Sequence, residues 1–302
     1  MHMETVDLNG HPFFIRTWGS PDNPPLLMLH GFPEYGGAWA ELAPLLADQF
    51  YCVAPDQRGY GRSWSPEGVD NYKVGKLVGD MVALIDWLGG EVTLLGHDWG
   101  AAVAYPLTIR NPEKVSRLII ANGVHPIPFQ RAVAAGGAQT EASQYIGDLR
   151  AEGAEHALAQ DDCSALRRRL LGKIDHSWLT PDRFADYLDA WTHDGGRIGT
   201  MLNWYRASTL RVPAPGETWE MPEITPENFM VHCPHLLIWG DGDTSLLPVS
   251  TEGLEEFAPQ LTRVTVPGTD HWLCHQKPEE IAAIIRDWMR GQTGRPEARK
   301  TV

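Results

Sequence analysis

Residues 92–102 read VTLLGHDWGAA, and this stretch determines how the rest of the chain is interpreted. The run of β-branched and leucine residues predicts a buried strand, and the small residues after Trp99 predict the start of a helix. Between them, Asp98 lies in a Gly-x-Asp-x-Gly turn. Glycines on both sides favour a sharp strand-to-helix turn that presents the side chain at its tip. We therefore predict that Asp98 is a nucleophile.

A carboxylate nucleophile restricts the chemistry. Attack of a carboxylate on a carbonyl carbon yields only a labile anhydride, whereas attack on a saturated carbon that bears a leaving group yields an alkyl ester. Epoxides and alkyl halides are substrates of the second kind. The ester on Asp98 then has to be hydrolysed by water that a histidine activates, and an acid has to orient that histidine. The sequence should therefore contain a base and an acid further along the chain.

Composition limits the class of protein. The chain has 302 residues, of which 43% are hydrophobic and 21% charged, as expected for one large globular unit or a core with one insertion. The net charge of −14 would repel nucleic acid, whereas a small neutral substrate is accepted more easily. The four cysteines are far apart and form no CxxC pair, which predicts buried free thiols in a reducing compartment and neither disulfides nor a zinc site.

The N-terminus and the hydropathy pattern predict the location. Residues 1–4 lack the basic and apolar regions of a signal peptide. No apolar run approaches the roughly 18 residues of a membrane span. We therefore predict a cytoplasmic protein that does not bind a membrane, and the sequence leaves a homodimer open.

Short apolar runs predict the central sheet. Residues 5–8 and 13–18 flank Asn9-Gly10, a dipeptide that favours the tight turn of a β-hairpin. Six further runs lack alternation, which is typical of strands buried on both faces of a parallel sheet. These runs are residues 26–30, 51–54, 92–95, 118–121, 236–239 and 264–266. Helical patterns lie between several of them, most clearly at residues 74–88, and another follows at 278–289. The pattern predicts a mostly parallel eight-stranded sheet flanked by helices.

A long insertion interrupts this pattern. About 110 residues separate the strand that ends near Asn122 from the strand that begins near His235, far more than an ordinary loop. Thr180-Pro181-Asp182 predicts a capped helix start, so we expect the insertion to be helical. We assign residues 125–233 to this insertion, called the cap. Residues 1–124 and 234–290 form the two parts of the core, and residues 291–302 are expected to form a flexible tail.

Two further motifs follow predicted strands: residues 30–33 read HGFP and residues 56–63 read DQRGYGRS. Together with the Asp98 turn they resemble the α/β-hydrolase fold, and specifically its epoxide hydrolase and haloalkane dehalogenase branch. The resemblance covers nearly the whole chain, to about residue 290. Three motifs in the right order, each at a strand end, make it specific. It implies an α/β-hydrolase core with an inserted helical cap domain, no metal and no organic cofactor.

The resemblance also implies the acid and the base. Residues 237–243 read LIWGDGD, and the family pattern Gly-x-x-Asp selects Asp243, with Asp241 in reserve. The base is His271, which gives the chain order nucleophile, acid, histidine. Asp270 stands where this branch usually has glycine. An extra carboxylate at that position is expected to raise the pKa of His271.

Backbone and aromatic groups complete the implied site. The N–H groups of Phe32 and Trp99 are the family-matched donors to an oxyanion on the carboxyl group of Asp98. The side chains of Phe32, Trp99, Trp204 and Trp272 stand in or beside the motifs. We expect these side chains to line an apolar cleft between core and cap that binds a small apolar substrate.

Two tyrosines of the cap discriminate between the candidate reactions. Residues 202–206 read LNWYR and resemble the epoxide hydrolase cap motif, whose tyrosine, here Tyr205, points at the oxirane oxygen. Residues 144–146 resemble the segment that carries the partner tyrosine, here Tyr145. Ring opening generates an alkoxide, and a phenol can supply it with a proton or a strong hydrogen bond. The pair predicts an epoxide hydrolase that uses water to release a vicinal diol.

Other functions agree less well with the motifs. A haloalkane dehalogenase would use the same Asp-His-Asp chemistry, but such enzymes often have asparagine at the position of Phe32. A fluoroacetate dehalogenase would need arginines next to the nucleophile, where this chain has Trp99. An esterase would need serine in place of Asp98. A silent binding protein on the same scaffold would not require all five catalytic positions. The haloalkane dehalogenase is the leading alternative.

Overall fold

In the computed structural model, residues 1–293 are described, and an eight-stranded sheet forms their centre. The strands are β1 (His2–Leu8), β2 (His11–Trp18), β3 (Pro25–Leu29), β4 (Tyr51–Pro55), β5 (Val92–His97), β6 (Val115–Ala121), β7 (His235–Gly240) and β8 (Leu261–Val266). Their spatial order is β1-β2-β4-β3-β5-β6-β7-β8. Strand β2 is antiparallel to β1 and β4, and the other neighbours are parallel. The predicted mostly parallel sheet is confirmed.

The hairpin that joins β1 and β2 forms where the sequence predicts it. Asn9 and Gly10 both have positive φ, at 56° and 82°. A two-residue hairpin turn needs this conformation at both central positions, and asparagine and glycine adopt it more readily than other residues. The pair of residues therefore determines the register between the two strands.

Helices connect and follow the strands. They are α1 (Ala43–Leu46), α2 (Val74–Trp87), α3 (Trp99–Arg110), α4 (Pro126–Ala134), α5 (Ala138–Ala142), α6 (Tyr145–Arg150), α7 (Ala154–Leu170), α8 (Pro181–Thr192), α9 (Ile198–Ala207), α10 (Leu273–Gln276) and α11 (Pro278–Thr293). Within α7 the backbone leaves helical geometry at residues 160–163. Helix α11 continues past its predicted end at Met289. Residues 294–302, which hold most of the predicted tail, lie outside the described residues.

Successive side chains along a strand point to opposite faces of the sheet, so a hydrophobic core forms on each face. Leu27 and Leu29 of β3 belong to a hydrophobic cluster that includes residues of α2 and α3. Leu26 and Met28 belong to a second cluster that includes residues of α1 and α11. Because helices cover both faces, the central strands are apolar at nearly every position. The loops at the carboxyl ends of the strands are left to carry polar residues.

The cap lies between β6 and β7 and contains helices α4 to α9, with no strand in any of its residues, all of which are described. Thr180 caps α8, because its hydroxyl accepts a hydrogen bond of 3.2 Å from the N–H of Arg183. The indoles of Trp191 and Trp204 donate to the carbonyl oxygens of Pro33 and Arg58 at 2.6 and 3.0 Å. These carbonyls follow β3 and β4, so the cap covers the carboxyl end of the sheet. Its exact boundaries stay a prediction.

Three findings concern residues 1–293 alone. None of their helices combines the length and the hydropathy of a membrane span. No group of three or more histidine, cysteine, aspartate or glutamate side chains among them is arranged to hold a metal ion. The cysteines are free; Cys52, Cys163 and Cys274 are buried and Cys233 is partly buried.

Candidate active site

Asp98 occupies a sharp turn between β5 and α3, with φ 50° and ψ −119°. Residues other than glycine rarely adopt a positive φ. Both glycines of the motif lie where the turn leaves no room for a side chain. A Cβ on Gly96 would lie 2.9 Å from the carbonyl oxygen of Gly100, and a Cβ on Gly100 would lie 2.0 Å from that of Leu29. The turn therefore requires this motif, and it places the carboxylate at the carboxyl end of β5.

The two carboxylate oxygens of Asp98 have different neighbours. Oδ1 accepts a hydrogen bond of 2.7 Å from the backbone N–H of Phe32. Gly31 permits this approach, because a Cβ there would lie 2.3 Å from the Asp98 side chain. Oδ2 lies 3.6 Å from Nε2 of His271. Trp99, the predicted second donor, begins α3, where backbone N–H groups have no acceptor within the helix. One oxygen is thus held by the backbone and the other faces the histidine.

His271 follows β8 and lies between two carboxylates. Its Nδ1 is 2.7 Å from Oδ2 of Asp243, and its Nε2 is 3.6 Å from Oδ2 of Asp98. Asp241 is exposed and accepts a hydrogen bond of 3.1 Å from the backbone N–H of Gly268. The structure thus brings Asp98, Asp243 and His271 together and places Asp241 outside the group.

Burial and charge act in opposite directions on His271. Burial opposes its positive charge, but Asp243 and then Asp98 raise the pKa of His271 well above its ordinary value. Burial likewise opposes ionisation of Asp243, yet the charge and hydrogen bond of His271 lower the pKa of Asp243. Both shifts favour an imidazolium whose Nδ1–H donates to the carboxylate of Asp243. This hydrogen bond sets the orientation of the ring.

Asp270 does not act as the sequence analysis expects. Its carboxylate is buried and accepts hydrogen bonds of 2.7 and 3.1 Å from the backbone N–H groups of Lys173 and Ile174 in the cap. The charges that raise the pKa of His271 are those of Asp243 and Asp98. The largest charge effects on this pKa thus come from residues other than Asp270, whose carboxylate binds the backbone of the cap.

Two phenols reach the site from the cap. Tyr145 begins α6 and Tyr205 lies near the end of α9, with ring centroids 6.5 Å apart. The Tyr205 ring lies 4.8 Å from that of Trp99 and 5.2 Å from that of Phe32. Burial raises the pKa of both phenols, and the charge of Asp98 raises it further. Both hydroxyls therefore stay protonated and can donate hydrogen bonds.

The two other tryptophans have different neighbours in the site. The Trp204 ring lies 5.9 Å from that of Trp99, on the same side as the phenols. The Trp272 ring lies 4.9 Å from that of His271 and 5.8 Å from that of His97. Both side chains are buried. Their roles in substrate binding stay predictions.

Sequence reasoning missed Asn122, which binds the side chain of Asp243. Its Nδ2 donates to Oδ2 of Asp243 at 2.7 Å, and its Oδ1 accepts from the backbone N–H of Gly240 at 2.7 Å. Asn122 has a φ of 34° and directly follows β6. An asparagine at the carboxyl end of a predicted strand, at the same edge as the motifs, was a signal for such a role.

A buried polar group behind His271 was also missed. Glu34 accepts hydrogen bonds from Tyr187 at 3.0 Å and from His275 at 2.7 Å, and it lies 3.0 Å from His97. His97 donates from Nε2 to the carbonyl oxygen of His271 at 2.8 Å. Burial opposes ionisation of Glu34, but the two histidines lower its pKa well below the ordinary value. The sequence signal was the position of Glu34, directly after the HGFP motif.

Comparison with known proteins identifies the class. Residues 24–278 match the sequence profile of a family described as alpha/beta hydrolase fold. The match spans most of the chain, and the protein therefore belongs to the alpha/beta hydrolase fold family. Membership of this family was predicted from three motifs and is confirmed.

Individual relatives place the chain within the family. AB hydrolase superfamily protein YfhM of Bacillus subtilis (strain 168) is 32% identical over 291 residues, which cover 95% of this chain and 97% of the relative. Epoxide hydrolase A of Mycobacterium tuberculosis (strain ATCC 25618 / H37Rv) is 28% identical over 322 residues, with 95% and 96% covered. A solved structure described as novel epoxide hydrolases from metagenomes of hot environments superposes with a TM-score of 0.86 and 34% identity, over 95% of this chain and 98% of that one. The resemblance to the epoxide hydrolase branch is confirmed.

Proposed function

We propose that this protein is an epoxide hydrolase that acts through an ester on Asp98. The observation that carries this proposal is the set of groups around Asp98: the His271–Asp243 pair, and two neutral phenols that lie 6.5 Å apart and whose pKa values the charge of Asp98 raises. A carboxylate with neutral phenols in its neighbourhood suits a substrate whose leaving group is an alkoxide oxygen. The relatives named epoxide hydrolases support the same activity.

In the first step, Oδ2 of Asp98 attacks a ring carbon of the epoxide. A bond forms between Oδ2 and that carbon, while the bond between the carbon and the ring oxygen breaks. The ring oxygen keeps the electron pair and receives a proton from Tyr205 or Tyr145, which regains one from solvent. Oδ2 is the attacking oxygen because Oδ1 is engaged with the N–H of Phe32. The product is a hydroxyalkyl ester of Asp98.

In the second step, water hydrolyses this ester. Esterification removes the charge of Asp98, one of the two charges that raise the pKa of His271, so the ring can lose its proton and act as a base. His271 takes a proton from water, and the resulting hydroxide adds to Cγ of Asp98. Negative charge then collects on Oδ1, beside the N–H of Phe32 and the amino end of α3. The bond between Cγ and Oδ2 breaks, and the diol leaves with a proton returned by His271. The carboxylic acid left on Asp98 then gives its proton to His271, which restores the carboxylate and the protonated histidine.

The apolar rings around Asp98 indicate the kind of epoxide that binds. Phe32, Trp99, Trp204 and Tyr205 form a connected set of edge-to-face contacts, with centroid distances from 4.8 to 5.9 Å. Such rings favour an apolar group next to the oxirane. An aryl epoxide therefore fits the site better than a charged one.

A substrate panel tests the proposed function. Styrene oxide and (2-chloroethyl)benzene carry the same phenyl group but different leaving groups. We expect the protein to convert styrene oxide to the diol and to release chloride far more slowly, because phenols assist an oxygen that becomes an alkoxide and not a halide. The diol is measured by chromatography and chloride by a colorimetric assay. Faster release of chloride than of diol would favour the dehalogenase alternative.

The acid is tested by one substitution at each of two neighbouring carboxylates. Asp243→Asn is expected to slow ester hydrolysis by about 10²-fold or more, because His271 loses the charge that orients it and stabilises its protonated form. Asp241→Asn is the matched control, since its exposed carboxylate contacts only the loop backbone. Both steps are followed by single-turnover mixing with styrene oxide. A larger loss of ester hydrolysis in Asp241→Asn would transfer the role to that residue.

A further inference from the structure

Asp270 carries a buried carboxylate that the mechanism above does not use. Its two oxygens bind different parts of the molecule. Oδ1 accepts hydrogen bonds from the backbone N–H of Trp272 at 3.1 Å and from Nε2 of Gln276 at 2.9 Å, both in the segment that follows the base. Oδ2 accepts from the backbone N–H groups of Lys173 and Ile174 at 2.7 and 3.1 Å. The second pair belongs to the cap segment between α7 and α8.

The surfaces around this carboxylate are shaped for close contact. A Cβ on Gly172 would lie 2.1 Å from Oδ2 of Asp270, so the cap segment can approach only because residue 172 is glycine. A Cβ on Gly242, in the loop that carries the acid, would lie 2.5 Å from Cδ1 of Ile174. Nε2 of Gln276 also donates to a carbonyl oxygen of the same cap segment at 3.0 Å. The cap segment therefore rests on both catalytic loops.

The hydrogen bonds of Asp270 connect the cap to the position of His271. The bond from Oδ1 to the N–H of Trp272 closes a turn around His271, which fixes the backbone of the base. An ionised carboxylate has about four acceptor positions, and four N–H groups fill them here. Because hydrogen bonds to a charged acceptor are stronger than those between neutral groups, this bridge is a firm contact between core and cap.

We propose that Asp270 is a positioning residue that holds cap segment 172–175 against the loop of His271 and so keeps the two phenols in place over Asp98. The segment follows α7, and α7 packs against both α6 and α9, which carry Tyr145 and Tyr205. The inference rests on the proposed function, since the phenols act in ring opening. Release of the segment therefore affects ring opening more than hydrolysis of the ester, whose groups belong to the core.

Asp270→Asn separates the two sides of the bridge. An amide has one acceptor oxygen and one donor group, so an asparagine that keeps its oxygen toward Trp272 presents its NH₂ group to the N–H groups of Lys173 and Ile174. We expect ring opening to slow by about 10-fold, because two hydrogen bonds to the cap are lost. Ester hydrolysis is expected to stay within about twofold of wild type, since its groups are not displaced. Single-turnover mixing with styrene oxide measures both steps.

Hydrogen exchange measured by mass spectrometry tests the hydrogen bonds between Asp270 and the cap without any substrate. In Asp270→Asn, amides of residues 172–175 are expected to exchange faster, while those of β7 do not change. Asp241→Asn is the matched control and should behave as wild type, because the carboxylate of Asp241 is exposed and bonds to the backbone of Gly268 in the core. If the wild-type protein forms no diol but amides 172–175 still exchange faster in Asp270→Asn, the proposed function is wrong and the contact between Asp270 and the cap is supported.

Gly172→Ala tests the same contact from the cap. With Asp270 present, the added methyl group should slow ring opening as Asp270→Asn does, because it displaces the carboxylate. In the Asp270→Gly variant the added methyl group has room, so Gly172→Ala should change the rate of ring opening little further. Equal slowing of both steps in Asp270→Asn, unchanged exchange of residues 172–175, or additive effects of the two substitutions would overturn the proposal.

Discussion

Replacement of His271 by glutamine is expected to trap the protein as an ester on Asp98. Ring opening needs the carboxylate and the phenols, which the substitution leaves in place. Ester hydrolysis needs a base 3.6 Å from Oδ2 of Asp98, and glutamine cannot take a proton from water. Loss of a general base costs about 10²- to 10⁴-fold in rate, so the ester should accumulate within one turnover. Intact-protein mass spectrometry after mixing with styrene oxide should show a gain equal to the mass of the whole epoxide.

The site of attachment decides the mechanism. Peptide mapping should place the adduct on the peptide that contains Asp98. His232→Gln is the matched control, because His232 is exposed, and this variant should turn over without accumulating an adduct. Asp98→Asn combined with His271→Gln should form no adduct. A folded His271→Gln variant that binds styrene oxide and gains no mass would contradict the covalent mechanism.

Removal of both phenols is expected to nearly abolish ring opening. In Tyr205→Phe, Tyr145 can still donate to the ring oxygen, because the two rings lie only 6.5 Å apart. In the double variant with Tyr145→Phe, no phenol remains beside the leaving oxygen. A positioned general acid contributes about 10²- to 10⁴-fold in rate. The double variant, which keeps no phenol, should therefore be slowed by up to about 10⁴-fold, and the single variant less, because the remaining phenol partly substitutes. Tryptophan fluorescence during stopped-flow mixing reports the alkylation, with Trp99 beside the nucleophile.

A buried tyrosine outside the site provides the control. Tyr105 on α3 is buried, and its hydroxyl pairs with Nε2 of His235 at 2.9 Å. Tyr105→Phe removes one hydrogen bond and is expected to lower the stability by about 1 kcal/mol without slowing ring opening. If the double variant opened styrene oxide at the wild-type rate, the phenols would have no role in this reaction.

The sheet and its hairpin were predictable because their signals are local. Asn9-Gly10 specifies a tight turn through its own backbone preferences, and unbroken apolar runs mark strands that are covered on both faces. The six predicted core strands all form, with ends that differ by a few residues. The end of the last helix was predicted too early, because Gly291 in its final turn does not stop it. Glycine weakens a helix by only about 1 kcal/mol, which packing can offset.

The residues that hold the side chains of the site in place were much less predictable. Asn122 and Asp243 are 121 positions apart, and Glu34 and His275 are 241 positions apart. No local pattern marks such a pair, because each contact exists only after the sheet brings the strand ends together. Asp270 shows the same difficulty: proximity in sequence to His271 suggested an effect on the pKa of the histidine, whereas its side chain turns to a cap segment 97 positions away.

The sequence by itself determined the turn that presents Asp98, the order of the strands along the chain and the family. It also named the residues expected to act, because motif spacing and strand ends are properties of neighbouring residues. Only the tertiary structure decided which oxygen of Asp98 is held by Phe32, which carboxylate reaches His271, and where Asp270 points. These outcomes depend on how loops meet at the carboxyl edge of the sheet and on how the cap packs over them. A hydrogen bond forms only when its two atoms lie within about 3 Å of each other. Which groups come that close depends on how distant segments pack, and not on their separation in the sequence.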